Sequence, residues 1–296
     1  MGSRDDMRVP DALLPSTLIV VGLGMVASLG WGIGDFGGGL ASRFAPVLGV
    51  LFTSQAASLI VGVPLLLLAS EPAMRPLDFV LAAVGGLFGA TGLALLYRGL
   101  SVARMGVVAP IAAVITAALP VAFGFATEGI PSPVSIVGIL CAAASVVLVS
   151  RSADANDERP SGVRYGVVTG LLFGMFPIVS NGISDDVLVG PVLTVRIASI
   201  LSVATFILVR RQPWRVPRRL WPAMLLIGVV DMAATAAYLS AIAVGPLAIA
   251  AIMTSLYPVV TVVLAALVLR ERMSRIHVVG ILAAGLAVAL IAGAGT

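Results

Sequence analysis

Ten blocks of roughly twenty mostly apolar residues follow one another along this chain, separated by charges, prolines and short polar clusters. They run approximately over 16–40, 45–69, 77–98, 105–126, 131–150, 163–184, 189–209, 219–240, 246–269 and 275–293. A helix of about 20 apolar residues crosses the hydrocarbon core of a bilayer. Connections such as Ala41 to Phe44 and Thr127 to Ile130 are too short to hold a soluble element, so the blocks predict helical hairpins. A membrane β-barrel would instead alternate apolar and polar residues in segments of about ten. With 59% hydrophobic and only 11% charged residues, the chain cannot build a water-facing surface; a soluble domain carries about 25% charged residues. The expected fold class is all-α and integral to a membrane, with ten transmembrane helices.

The longest polar stretch, Arg151 to Gly162, reads RSADANDERPSG and divides the blocks five and five. A linker in that place prompts a search for an internal repeat. Val137 to Leu140 and Val279 to Leu282 both read VGIL, early in the fifth and tenth blocks. Glu128 and Glu271 precede them at nearly equal spacing, with Ser132 and Ser274 between. Tyr97 and Tyr238 each lie near the end of a block, and the blocks that follow contain Leu119-Pro120-Val121 and Tyr257-Pro258-Val259. Trp31-Gly32 and Phe173-Gly174 occupy matching places in blocks one and six. An odd number of crossings per half makes the second half enter from the opposite side, so the expected repeats are inverted. The units are 12–150 and 163–296, joined by the linker 151–162. Inverted repeats recur in secondary transporters, with the substrate site near the midplane between them.

On these residues the chain resembles an EamA-type transporter of the drug/metabolite transporter superfamily. The matching pieces are Trp31-Gly32, Arg196 in VRIASIL, Tyr257-Pro258, and the RERMS turn of Arg270 to Ser274 leading into VVGILAAGLAVALIAG. The resemblance implies two five-helix repeats around a central cavity and transport of small metabolites such as amino acids or drugs. The first half departs from the second, with Ser54-Gln55 where the second has Arg196, and TEGIPS where it has RERMS.

A charge inside an apolar block costs about 2.5–3.5 kcal/mol on insertion scales and marks a functional position by default. Four qualify: Asp35, Arg98, Arg196 and Asp231. Arg196 and Asp231 lie roughly 10 and 13 Å from the same membrane face on consecutive antiparallel helices, within reach of an ion pair. Asp231 is the candidate proton-coupling or cation-binding group and Arg196 the candidate carboxylate anchor; a buried structural lock between the two helices is the competing reading. Asp35 and Arg98 fall near the opposite face, where they can pair or snorkel. Trp31 and Tyr257 are candidate aromatic walls, and Gln55 and Asn181 candidate polar contacts. Pro110, Pro177 and Pro258 each remove a backbone donor and are candidate hinges.

Other function classes find little support. Cys141 and His277 are single, so neither a disulfide nor a His/Cys metal centre is expected, and no cofactor is implied. All 18 basic residues are Arg, scattered in loops rather than set in a stripe that would track nucleic acid. A membrane-embedded enzyme would need paired catalytic groups inside the blocks, and a scaffold or sensor would be expected to carry a signalling module. The expected partners are a small-molecule substrate, protons and the lipid of a cytoplasmic membrane, with the chain a monomer or homodimer. Loop arginines number three on the N-terminal face and thirteen on the other, which places both termini outside the cytoplasm.

Overall fold

The computed structural model describes residues 13–102, 105–150, 162–268 and 275–293; the linker up to Ser161 and the RERMS turn lie outside them. Every regular element among the described residues is helical. In the first half these are α1 (Leu13–Ala41), α2 (Val47–Leu68), α3 (Pro76–Val102), α4 (Met105–Thr127) and α5 (Pro133–Ser150). In the second they are α6 (Val163–Ser180), α7 (Val189–Arg210), α8 (Trp221–Val244, led by a 3-10 turn at Arg218–Leu220), α9 (Leu247–Thr254), α10 (Tyr257–Val268) and α11 (Arg275–Gly293). Seven stretches among the described residues are long and apolar enough to cross a membrane, with α9 and α10 counted together, and shorter apolar helices lie within α4, α5 and α11. Large apolar side chains such as Leu68, Leu140, Leu201 and Leu282 stay exposed on the outer surface. That surface suits lipid, where helices satisfy their own backbone polar groups. The chain is a multi-pass membrane protein.

The two halves pack mainly on each other. α1 lies along α8 and along α9 and α10, while α3 lies along α6, and α6 along α4. α2 contacts α8 where α3 contacts α7; α2 also meets α7, α4 meets α9, and α5 runs against α11. Exchanging the roles of the halves turns the contact of α1 with α8 into that of α3 with α6, and the contact of α2 with α8 into that of α3 with α7. The main apolar cluster draws on both halves, including Val20, Ala117, Val146, Tyr238, Ile252 and Ile291. Neither half keeps a core of its own.

Two glycines, 142 residues apart in sequence, permit close approach of one helix backbone to another. A Cβ on Gly86 of α3 would collide with the carbonyl oxygen of Val195 on α7. One on Gly228 of α8 would collide with the carbonyl oxygen of Ser54 on α2. Small residues of this kind let membrane helices pack backbone to backbone.

The ninth apolar block, expected as one helix over 246–269, is interrupted at Ser255 and Leu256 between α9 and α10. Pro258 has no N–H to offer the carbonyl of Thr254, so the ladder is broken one turn earlier. The hydroxyls of Thr254 and Ser255 bond back to the carbonyls of Ala250 and Ile252 at 2.9 and 2.8 Å. Pro120, in the corresponding block of the first half, sits inside an unbroken α4. The sixth block is also shorter than expected. α6 ends at Ser180, and Asn181 is its C-cap rather than a mid-helix residue. Asn181-Gly182 and the acidic pair Asp185-Asp186 end the apolar run there.

Substituting Gly228→Ala forces α2 and α8 apart and is expected to cost about 1–3 kcal/mol, as overpacking does. Gly22→Ala, which meets open space, serves as the control. Thermal unfolding in detergent should show a fall of several degrees for the first and no change for the second.

Candidate functional site

A guanidinium carried into an apolar bundle needs every donor it can engage, and α7 and α8 supply the partners for Arg196. α7 presents Arg196 in its second turn, 5% exposed. One terminal nitrogen is ion-paired with Asp231 Oδ2. The other donates to the backbone oxygen of Asp231 at 2.8 Å and to Thr235 Oγ1 at 2.6 Å. Asp231 and Thr235 are one helical turn apart on α8, so both face α7. Thr235 Oγ1 also bonds the Asp231 carbonyl at 3.0 Å. Arg196 Nε has no hydrogen-bond partner among the described residues. The side chain of Asp231 is 30% exposed against 6% for Arg196, so the acid is the accessible member of the pair.

This unit forms part of the wall of a cavity of about 190 Å³ between the halves. Trp31 and Asp35 of α1, Gln55 of α2, Gly85, Gly86, Gly89 and Leu93 of α3, and Thr116 of α4 line it from the first half. Phe173, Phe176 and Pro177 of α6, Arg196 and Ser199 of α7, Asp231 and Thr235 of α8, and Tyr257 of α10 line it from the second. Asp35, in the last two turns of α1, is exposed while lining the cavity, and no ion pair among the described residues reaches it. A Cβ on its neighbour Gly34 would stand 3.7 Å from Asp231 Cβ, which sets this part of α1 against the acid of α8. The lining also reaches Leu96 in the last two turns of α3, so the cavity extends toward the end of the bundle opposite the start of α1.

The other end is closed. Trp31, Phe176 and Tyr238 stack against one another, with ring centroids 5.6 to 6.4 Å apart. Beyond them three first-half carboxylates reach across to the second half. Glu71 accepts the N–H groups of Val189 and Gly190 at the start of α7, at 3.0 and 3.4 Å. Asp78, fully buried in α3, accepts from Ser184 N at 3.0 Å and Ser184 Oγ at 2.8 Å and is paired with Arg75 at 2.8 Å. Glu128 accepts the Leu247 N–H at the start of α9 at 2.8 Å. Helix N-termini carry unsatisfied N–H groups and partial positive charge, so a carboxylate suits them. Burial raises the Glu128 pKa above the ordinary glutamate value, and the Leu247 N–H opposes that rise.

Six of the seven residues singled out as substrate or coupling contacts come together here: Asp231, Arg196, Asp35, Tyr257, Trp31 and Gln55. Asn181 does not join them; it lies among the Ser180 to Leu188 residues at the closed end. Of the expected hinges, Pro177 lines the cavity, Pro258 adjoins the α9–α10 interruption, and Pro110 falls within α4 with its side chain outside the described residues. Arg98 is exposed on α3 and lies outside the cavity wall. Sequence reasoning missed Thr235, although its place four residues after Asp231 put it on the same face. It also missed Thr116, Ser199 and the bare wall of Gly85, Gly86 and Gly89.

The wall is unequal between the halves. Counting 142 residues back from Arg196, Asp231 and Thr235 gives Ser54, Gly89 and Leu93. The positions of the first half that match the ion-paired unit thus carry small or apolar side chains.

Residues 160–293 match the EamA-like transporter family. No curated protein matches the chain. A solved crystal structure of another protein shares the fold, with a TM-score of 0.71 at 18% sequence identity, covering 93% of this chain and 96% of the other.

Removing either member of the Arg196–Asp231 pair should destabilise the fold unequally. Asp231→Leu strands a cation whose side chain is only 6% exposed, a loss of about 3–5 kcal/mol in other buried pairs. Arg196→Leu leaves an acid that can still hydrate from the cavity. Thermal unfolding should therefore fall further for Asp231→Leu, and the double variant should lose less than the sum of the two.

Proposed function

With its second half matched to EamA-like transporters, we propose that this chain is a secondary transporter of small metabolites, amino acids or drugs among them. In this reading the apolar blocks are ten membrane helices forming two inverted repeats, 12–150 and 163–296, joined by the linker 151–162. The exchanged contacts of α1 with α8 and α3 with α6, and of α2 with α8 and α3 with α7, support that symmetry. The observation that carries the proposal is a cavity between the halves holding an intramembrane ion pair and an exposed carboxylate. Polar groups at that depth are costly and serve pathways for solutes or protons.

The chain works by alternating access. Its cavity extends toward one end, and the other end is sealed by the aromatic stack and the bonds of Glu71, Asp78 and Glu128 to the second half. Opening that end requires those bonds to break while the interrupted α9–α10 segment and Pro177 absorb backbone change. The arginine-rich loops support a cavity mouth on the cytoplasmic side, from which solute can be loaded, and we assign export across the cytoplasmic membrane. Asp231 and Asp35 are the groups through which a proton can be exchanged for substrate. This is the chemistry of a carrier rather than an enzyme.

Flux measured in proteoliposomes with and without a pH gradient tests the reading. A gradient should accelerate wild-type flux several-fold, and Asp231→Asn should abolish that acceleration while the protein stays folded. An unchanged pH response in the variant would remove Asp231 from the coupling. A wild-type protein that moves no solute under any gradient would remove transport itself.

A further inference from the structure

The lining assigns a sign and a shape to the substrate. Its ionisable side chains are two acids, Asp35 and Asp231, against one base, Arg196. Tyr257 adds a phenol, and Arg98 of α3 is outside the wall. Arginine recognises a carboxylate best with two parallel N–H bonds. Both terminal nitrogens of Arg196 are already committed to Asp231 and Thr235. Its Nε is buried and offers no fork. An entering carboxylate would have to displace Asp231 from a cation that has little access to water.

A cation meets the opposite situation. Asp35 is exposed in the lining without an ion pair among the described residues. Gln55 adds an uncharged amide to the wall rather than a second base. Trp31, Phe173, Phe176 and Tyr257 surround the same space with aromatic surface. Ring faces attract ammonium groups and stack on apolar bodies. Gly89, where an added Cβ would meet nothing within 4 Å, leaves room on the first-half side of the cavity.

We propose that the cavity selects organic cations, an ammonium group on an aromatic or apolar body, over zwitterionic amino acids of the same side chain. Asp35 receives the ammonium, the aromatic residues receive the body, and the Arg196–Asp231–Thr235 unit is part of the wall rather than a carboxylate anchor. This rests on the transporter reading and narrows it to one of the substrate classes that reading contains.

Three probes separate charge from shape: phenethylamine, phenylalanine, and the neutral alcohol 2-phenylethanol. Their binding to the purified full-length protein is measured by calorimetry in detergent, and their flux in proteoliposomes. The amine should bind at least about tenfold tighter than the other two, a difference near 1.4 kcal/mol. Asp35→Asn should erase that preference, and Trp31→Leu should weaken the amine without restoring phenylalanine; unfolding temperatures confirm that both variants are folded. If Asp35→Asn does not fold, Asp35→Glu takes its place and should retain the preference for the amine over the alcohol. Equal or tighter binding of phenylalanine, or an amine preference that survives Asp35→Asn, overturns the proposal. Flux of phenylalanine without amine binding overturns it while leaving the transporter reading intact. Amine binding without flux of any solute supports the selectivity and overturns transport.

Discussion

A guanidinium 5% exposed inside a lipid-facing bundle must be satisfied by protein, and the way Arg196 is satisfied organises this site. Binding Asp231 and Thr235 ties α7 to α8 at the depth where the halves meet. The same bonds spend the donors that a substrate carboxylate would have used. With its one lining base neutralised, the cavity takes its charge from Asp35. A single interaction thus stabilises the helix pair and sets the polarity of the space beside it.

The halves differ in how they use matching positions. At the 142-residue offset, Arg196, Asp231 and Thr235 correspond to Ser54, Gly89 and Leu93, so the ion-paired unit of the second half has no counterpart in the first. The interruption between α9 and α10 has no equivalent in α4, although both carry a proline after a bulky residue. The carboxylates at the closed end come from the first half and bond backbone N–H groups of the second. A scaffold of exchanged helix contacts therefore carries a chemically one-sided site.

Much of this was legible because membrane solvent makes certain residues conspicuous. Helical class and approximate helix positions followed from apolar length alone, since nothing but a helix hides its backbone in continuous apolar blocks. Arg196, Asp231 and Asp35 stood out as charges at membrane depth, and the antiparallel geometry of α7 and α8 made the ion pair readable in advance. Asn181 was misplaced because the end of α6 depends on where Asn-Gly and the acidic pair leave the apolar run, which block length does not resolve. The roles of Glu71 and Glu128 were hidden because carboxylates beside helix ends look solvated until the helix N-termini they cap are known, and that of Asp78 because its partner Ser184 lies 106 residues away. Glycines in the cavity wall were invisible for a related reason: what they contribute is the absence of a side chain toward a neighbour that sequence does not name.

The central claim is that the end sealed by Glu71, Asp78 and Glu128 opens in turn with the cavity's other end. Spin labels at Ala73 and Asp186, exposed residues of opposite halves at the sealed end, report that motion directly in a Cys141→Ala background. Distances between them should fall into two populations in lipid nanodiscs, with Asp78→Asn shifting the balance toward the longer one. A single narrow distance, unchanged by Asp78→Asn, by pH and by any transported solute, would contradict the account.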